Sequence, residues 1–138
     1  MKRMLGAAGL MAVVLGLAAI SSSAQDPQEP PDSIKSIMKA LHAKDKGHLN
    51  QAKAALKASP VDWAAVEKAA QPIETLSKAL PALEPPQGDQ EDYVRQCQAY
   101  TTQATALLTA ARAKDQAAAR KAVDALGKSC MKCHEAHK

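Results

Sequence analysis

The chain ends in Cys130-Met131-Lys132-Cys133-His134-Glu135-Ala136-His137-Lys138, and the reading of this stretch decides what the helices before it are for. Two thiols three residues apart with a histidine directly behind them form a C-x-x-C-H site, the pattern of covalent haem attachment. On a helix Cys130 and Cys133 share a face, so each sulfur can add across one vinyl group of a single haem c. His134 then lies under the ring, where its imidazole reaches the iron as the fixed axial ligand. Three other readings compete: a redox-active C-x-x-C, half of a zinc site, and a structural disulfide. A thioredoxin-like motif sits at a strand-to-helix junction, and nothing upstream of Cys130 reads as a strand. A structural zinc would have to draw all four ligands, Cys130, Cys133, His134 and His137, from one short segment.

The other end of the chain supplies an address. Met1-Lys2-Arg3 precedes an apolar run from Met4 to Ile20, and Ser21-Ser22-Ser23-Ala24 follows it. Residues 1–24 therefore read as a secretory signal peptide cut after Ala24. The run matches the shortest membrane spans, roughly 17 residues. Its alanine and glycine content and its small-residue exit favour cleavage instead, and no cysteine follows it to take a lipid. The expectation is a periplasmic protein with no membrane anchor once the signal is removed. Haem is attached to C-x-x-C-H sites on the outer side of the bacterial inner membrane, so export and motif support each other.

Losing Lys2 and Arg3 with the signal lowers the 18 basic side chains to 16, against 14 acidic ones, a net charge of +2. The remaining lysines are scattered along helices and few aromatics could stack on bases, so nucleic acid is not an expected partner. The mature chain has no Phe, one Trp and two Tyr, and it is rich in alanine. That composition points to helices throughout and to a thin core, in which a fixed macrocycle would supply apolar bulk.

Residues 25–31, Gln-Asp-Pro-Gln-Glu-Pro-Pro, form a disordered tether that cannot be helical. Asp32 or Ser33 caps a first helix with Ile34, Ile37, Met38 and Leu41 on one face, continued by Leu49, Ala52 and Leu56. Gly47 marks a bend or break in a helix read through to about Ala58. After Ser59-Pro60, Asp62 caps a second helix with Val66, Ala69 or Ala70, Ile73, Leu76 and Leu80 inward, and Pro72 kinks it or splits it in two. The segment from Pro81 to Asp89 is the longest connection. A third helix runs from about Gln90 to Ala113, with Val94, Cys97, Thr101, Ala104, Leu108 and Ala111 on one face and Tyr93, Tyr100 and Leu107 beside it. Cys97 is either a buried small hydrophobe or, in an exported protein, a thiol that could crosslink two subunits. Asp115 caps the fourth helix, which carries Val123, Leu126 and the terminal motif, and Gly127 lies where the helix could approach the macrocycle. The pattern predicts an all-α, up-down-up-down four-helix bundle over residues 32–138, with the haem at the C-terminal end of helix four.

Four helices with a single C-x-x-C-H at the very C-terminus resemble the class II c-type cytochromes, the family of cytochrome c′ and cytochrome c556; most c-type cytochromes carry the motif near the N-terminus. The resemblance covers the chain from about Asp32 onward, and the terminal motif is its specific part. The family often follows the motif with two residues, an aromatic and a basic one. Here those places hold His137 and Lys138, so only the basic residue matches. The resemblance makes Cys130 and Cys133 the thioether attachments and His134 the proximal ligand, and it places the residue facing the iron on helix one. There the run Met38-Lys39-Ala40 looks like the c556 methionine, whereas counting back from the helix end favours His42. Either would give low-spin iron, and a thioether holds the ferrous state better than a second imidazole. The family also tends to carry an arginine near this place; this helix has only Lys35, Lys39, Lys44 and Lys46, a solvated face or a rim for a negatively charged redox partner. His48 reads as a surface residue and Glu135 as solvated. Dimerisation through the first two helices is common in the family, although an alanine-rich face serves core packing equally well.

No nucleophile-base set, phosphate loop or second cofactor motif is present, which argues against an enzyme. The expected function is that of a periplasmic monohaem electron carrier with a six-coordinate low-spin haem. A five-coordinate protein that binds NO or CO in the manner of cytochrome c′ is the alternative. A haem-free metal-binding bundle is a third.

Overall fold

A computed structural model describes residues 33–138. The signal peptide, the tether and the Asp32 cap fall outside the described residues. The remainder is all-helical: α1 (Ile34–His42), α2 (His48–Lys57), α3 (Trp63–Ala79), α4 (Gln90–Ala113) and α5 (Gln116–His137), with a 3₁₀ turn at Leu80–Ala82. Four of these five α-helices, all but α2, start at a side chain that accepts one of the backbone N–H groups the first turn leaves unpaired. Ser33 accepts from Ser36, Asp62 from Ala65, Asp89 from Asp92 and Asp115 from Ala118.

The first helix of the sequence reading does not run through to Ala58. It stops at His42 and restarts at His48, with a turn between them in which the Gly47 N–H donates to the Ala43 carbonyl at 2.8 Å. A Cβ at Gly47 would stand 2.6 Å from both N and O of Ala43, so no other residue fits there without movement. The Asn50 amide, from the first turn of α2, donates to the Ala43 and Lys44 carbonyls at 3.2 and 3.0 Å, tying off the open end of α1. In α3 the reverse holds: Pro72 lies inside one continuous helix. It removes a single hydrogen bond, and Val66, Ala69, Ala70 and Ile73, all buried, hold the helix on both sides of it.

The long helices run antiparallel in sequence. Glu67 of α3 meets Arg112 of α4 at 3.0 Å, and Glu74, seven residues on, meets Thr105, seven residues back, at 3.0 Å. Asp92 near the start of α4 meets His137 at the end of α5. These contacts, with the α2–α3 hairpin, enclose a core of Leu49, Leu56, Val66, Ile73, Leu107 and Leu126, filled in by alanines of which Ala52, Ala70, Ala104 and Ala119 are fully buried. The outlier is α1, which packs mainly on α2 and α3 through Ile37 and Leu41.

Ile73→Ala should lower stability by about 2–5 kcal/mol in urea unfolding, the cost of a fully buried large-to-small change. Gly47→Ala should cost about 1–3 kcal/mol, because the Ala43 backbone must move to admit the methyl group.

Candidate functional site

Because α5 stays helical to His137, Cys130 and Cys133 lie on one side of it, half-buried against the core, while Met131 and Lys132 between them face solvent. The side chains they face come from three places. From α1 come Ile34 and Met38; from the connection before α4 come Leu80, Pro85 and Pro86; from α4 come Tyr93, Cys97 and Tyr100. Together with His134 they line a cavity of about 60 Å³ that is partly open to solvent. The walls are apolar. Tyr100 is buried among them, and its hydroxyl has no hydrogen-bond partner among the described residues.

Burial pushes the thiols of Cys130 and Cys97 up to about 11 and raises that of Cys133. The nearby positive charge of Lys53 acts against this at Cys130. Cys130 also donates to the Leu126 carbonyl at 3.1 Å. Its sulfur lies 3.3 Å from Nε2 of His42, whose imidazole is held below its ordinary pKa by burial and by the charges of His134 and Lys53. The His42 ring stands edge-on to Tyr100, with centroids 6.4 Å apart.

Of the residues singled out in the sequence, Cys130, Cys133, His134 and Met38 converge on the cavity. His42 stands behind Cys130 and is not part of the lining, and neither is His48. Gly127 does not face the cavity either: a Cβ there would meet only Lys53 Nζ, at 4.0 Å. Cys97 is buried, as the first of its two readings held, and it also lines the cavity. The sequence carried a trace of this, since Tyr93, Cys97 and Tyr100 are one turn apart and include both tyrosines of an aromatic-poor chain. Lys35, Lys39, Lys44 and Lys46 are exposed.

His137 is buried, 4% exposed. Its Nδ1 lies 3.1 Å from the Gln87 carbonyl oxygen and its Nε2 lies 3.0 Å from Asp92 Oδ2. Hydrogen bonds from Gln96, His137 and Arg95 hold the Asp92 carboxyl below the usual carboxylate range. Tyr93 stands edge-on to the His137 ring and donates its own hydroxyl to the Leu80 carbonyl at 3.0 Å. His137 also borders the cavity that Cys130, Cys133 and His134 line, with its ring nitrogens engaged by Gln87 and Asp92. Among the described residues no three His, Cys, Asp or Glu side chains gather as a metal ion would need.

The residues present fit a covalently bound haem: an apolar slot, two sulfurs on one helical face at its edge, an imidazole beside them, and a buried hydroxyl with no protein partner. A family model described as Cytochrome C' matches residues 32–138. The chain belongs to the cytochrome c′ family, the class II c-type cytochromes. That membership makes it a c-type haem protein of the electron-carrying or gas-binding kind, and proteins of this family are typically exported and not enzymes. No curated protein and no solved structure matches the chain.

With its thiol pushed up to about 11 by burial, Cys97 should react with iodoacetamide at pH 8 about 100-fold more slowly than an exposed cysteine, and the rate should climb until about pH 11. Peptide mass spectrometry of Cys97 after timed labelling measures this.

Proposed function

We propose that this protein is a periplasmic monohaem electron carrier in which Cys130 and Cys133 hold one haem c by thioether bonds, His134 ligates the iron, and Met38 fills the sixth position. The observation that carries this reading is the convergence of Cys130, Cys133, His134 and Met38 on one apolar cavity. Met38 is preferred to His42 because it lines that cavity, whereas His42 is engaged with Cys130 and Tyr100. The antiparallel pairings support an up-down-up-down bundle whose first helix is α1 and α2 together. When bound, the haem supplies one-electron cycling of its iron.

The chain's own part is to hold and to shield. Ile34, Leu80, Pro85 and Pro86 exclude water from the haem faces, and a dry pocket with a thioether ligand favours the ferrous state. Lys35 and Lys39, exposed on the helix that carries Met38, give an acidic redox partner a positive rim to find. The gas-binding reading has one observation of its own, the unpartnered hydroxyl of Tyr100, which could donate to a polar diatomic molecule on the iron.

Visible and near-infrared spectra of the haem-loaded protein, oxidised and reduced, with and without carbon monoxide, separate the two. The expected result is a low-spin spectrum with a sulfur-to-iron band and no response to carbon monoxide. Met38→Ala should convert it to a high-spin form that takes up carbon monoxide, while His42→Gln and His48→Gln leave it low-spin. His134→Ala should abolish the low-spin spectrum. A parent protein that is already high-spin and shifts with carbon monoxide replaces electron transfer with gas binding.

A further inference from the structure

His134 lies in the last turn of α5, which ends at His137. The final turn of a helix has carbonyls without partners and frays unless something ties it down. Beyond Leu126 the one fully buried residue of α5 is His137, a single turn past His134 on the same side. Both nitrogens of its ring face acceptors, the Gln87 carbonyl and the Asp92 carboxylate. The ring is thereby held from both sides, by α4 and by the loop before it.

The partners of His137 are themselves held. The Gln96 amide donates to the same Asp92 oxygen at 2.6 Å, and Arg95 bonds the other oxygen. Asp92 sits in the first turn of α4, where a carboxylate complements the helix dipole, and His137 sits in the last turn of α5. Gly88 closes the arrangement. Its φ is +89°, and a Cβ there would stand 2.4 Å from His137 Nδ1 and 2.7 Å from the Ala136 oxygen, so the loop is pressed onto the last turn with no space between.

We propose that His137 is the positioning residue for the iron ligand: locked to Asp92 and to the Gln87 carbonyl, it fixes the last turn of α5 so that His134 keeps a single orientation at the cavity. The inference rests on the reading of His134 as the proximal ligand. An aromatic ring at position 137 could pack against Tyr93, but it could not bond to either acceptor.

The test compares the haem-loaded parent with His137→Phe, which keeps the bulk, and with Asp92→Asn, a partly exposed change that keeps the shape. Three properties are read: intact mass, for covalent haem; hydrogen exchange of the amides of residues 133–137, with those of α3 as reference; and the haem-methyl proton shifts of the ferric protein, which follow the orientation of the ligating imidazole. In both variants the last-turn amides should exchange about tenfold or more faster, those of α3 should be unchanged, and the haem-methyl pattern should move or split. Parent-like exchange and haem-methyl shifts in both variants would overturn the proposal, as would equal acceleration in α3, which would make the lock an ordinary contribution to global stability. A parent without covalent haem overturns the reading of His134 itself and the positioning role with it.

Discussion

The antiparallel contact between α4 and α5 is what the site depends on. Its two ends are built differently. The second half of α4 offers Ala104, Leu107, Leu108 and Ala111 to the first half of α5, where Ala119, Ala122, Val123 and Leu126 are buried, and small side chains let the two backbones pack closely. The first half of α4 offers Tyr93, Cys97 and Tyr100 to Cys130, Cys133 and His134, and there the helices border a cavity. One pair of helices thus serves as core at one end and as cavity wall at the other.

The cavity's third wall is α1, and its placement follows from the break at Gly47. The turn at residues 43–47, tied by Asn50 and sterically feasible because of Gly47, separates α1 from α2, and α1 sets Met38 and Ile34 beside the space next to α5. The same turn leaves His42, the last residue of α1, at the Cys130 sulfur. Met38 and His42 are one turn apart, yet one lines the cavity and the other stands behind its edge.

Polar groups in this region are few, and each has a defined setting. Cys97, Cys130 and Cys133 are held as thiols by burial. Tyr93 has a carbonyl partner, whereas Tyr100 is the buried hydroxyl left for whatever enters the cavity. The strongest polar grouping, Asp92 with Gln96, Arg95 and His137, lies at the free end of α5, where helical hydrogen bonding alone holds the chain least.

Much of this was legible in the residue order, because caps, periodicity and ligand spacing are local properties. Asp62 and Asp115 announced their helices, the alanine content announced an all-helical chain, and the spacing of Cys130, Cys133 and His134 pointed to the family. The break at Gly47 was legible only as a choice between bend and stop, since it turns on the closeness of the Ala43 backbone, and Pro72 was misjudged as a possible split because packing on both sides of it holds the helix together. Which of Met38 and His42 borders the cavity, that Cys97 belongs to its wall, and that His137 meets Asp92 at its edge were decided by tertiary structure. Those facts depend on contacts between residues as far as 88 positions apart in the chain, where helix direction and crossing place one side chain against another. No periodicity within a single helix encodes them.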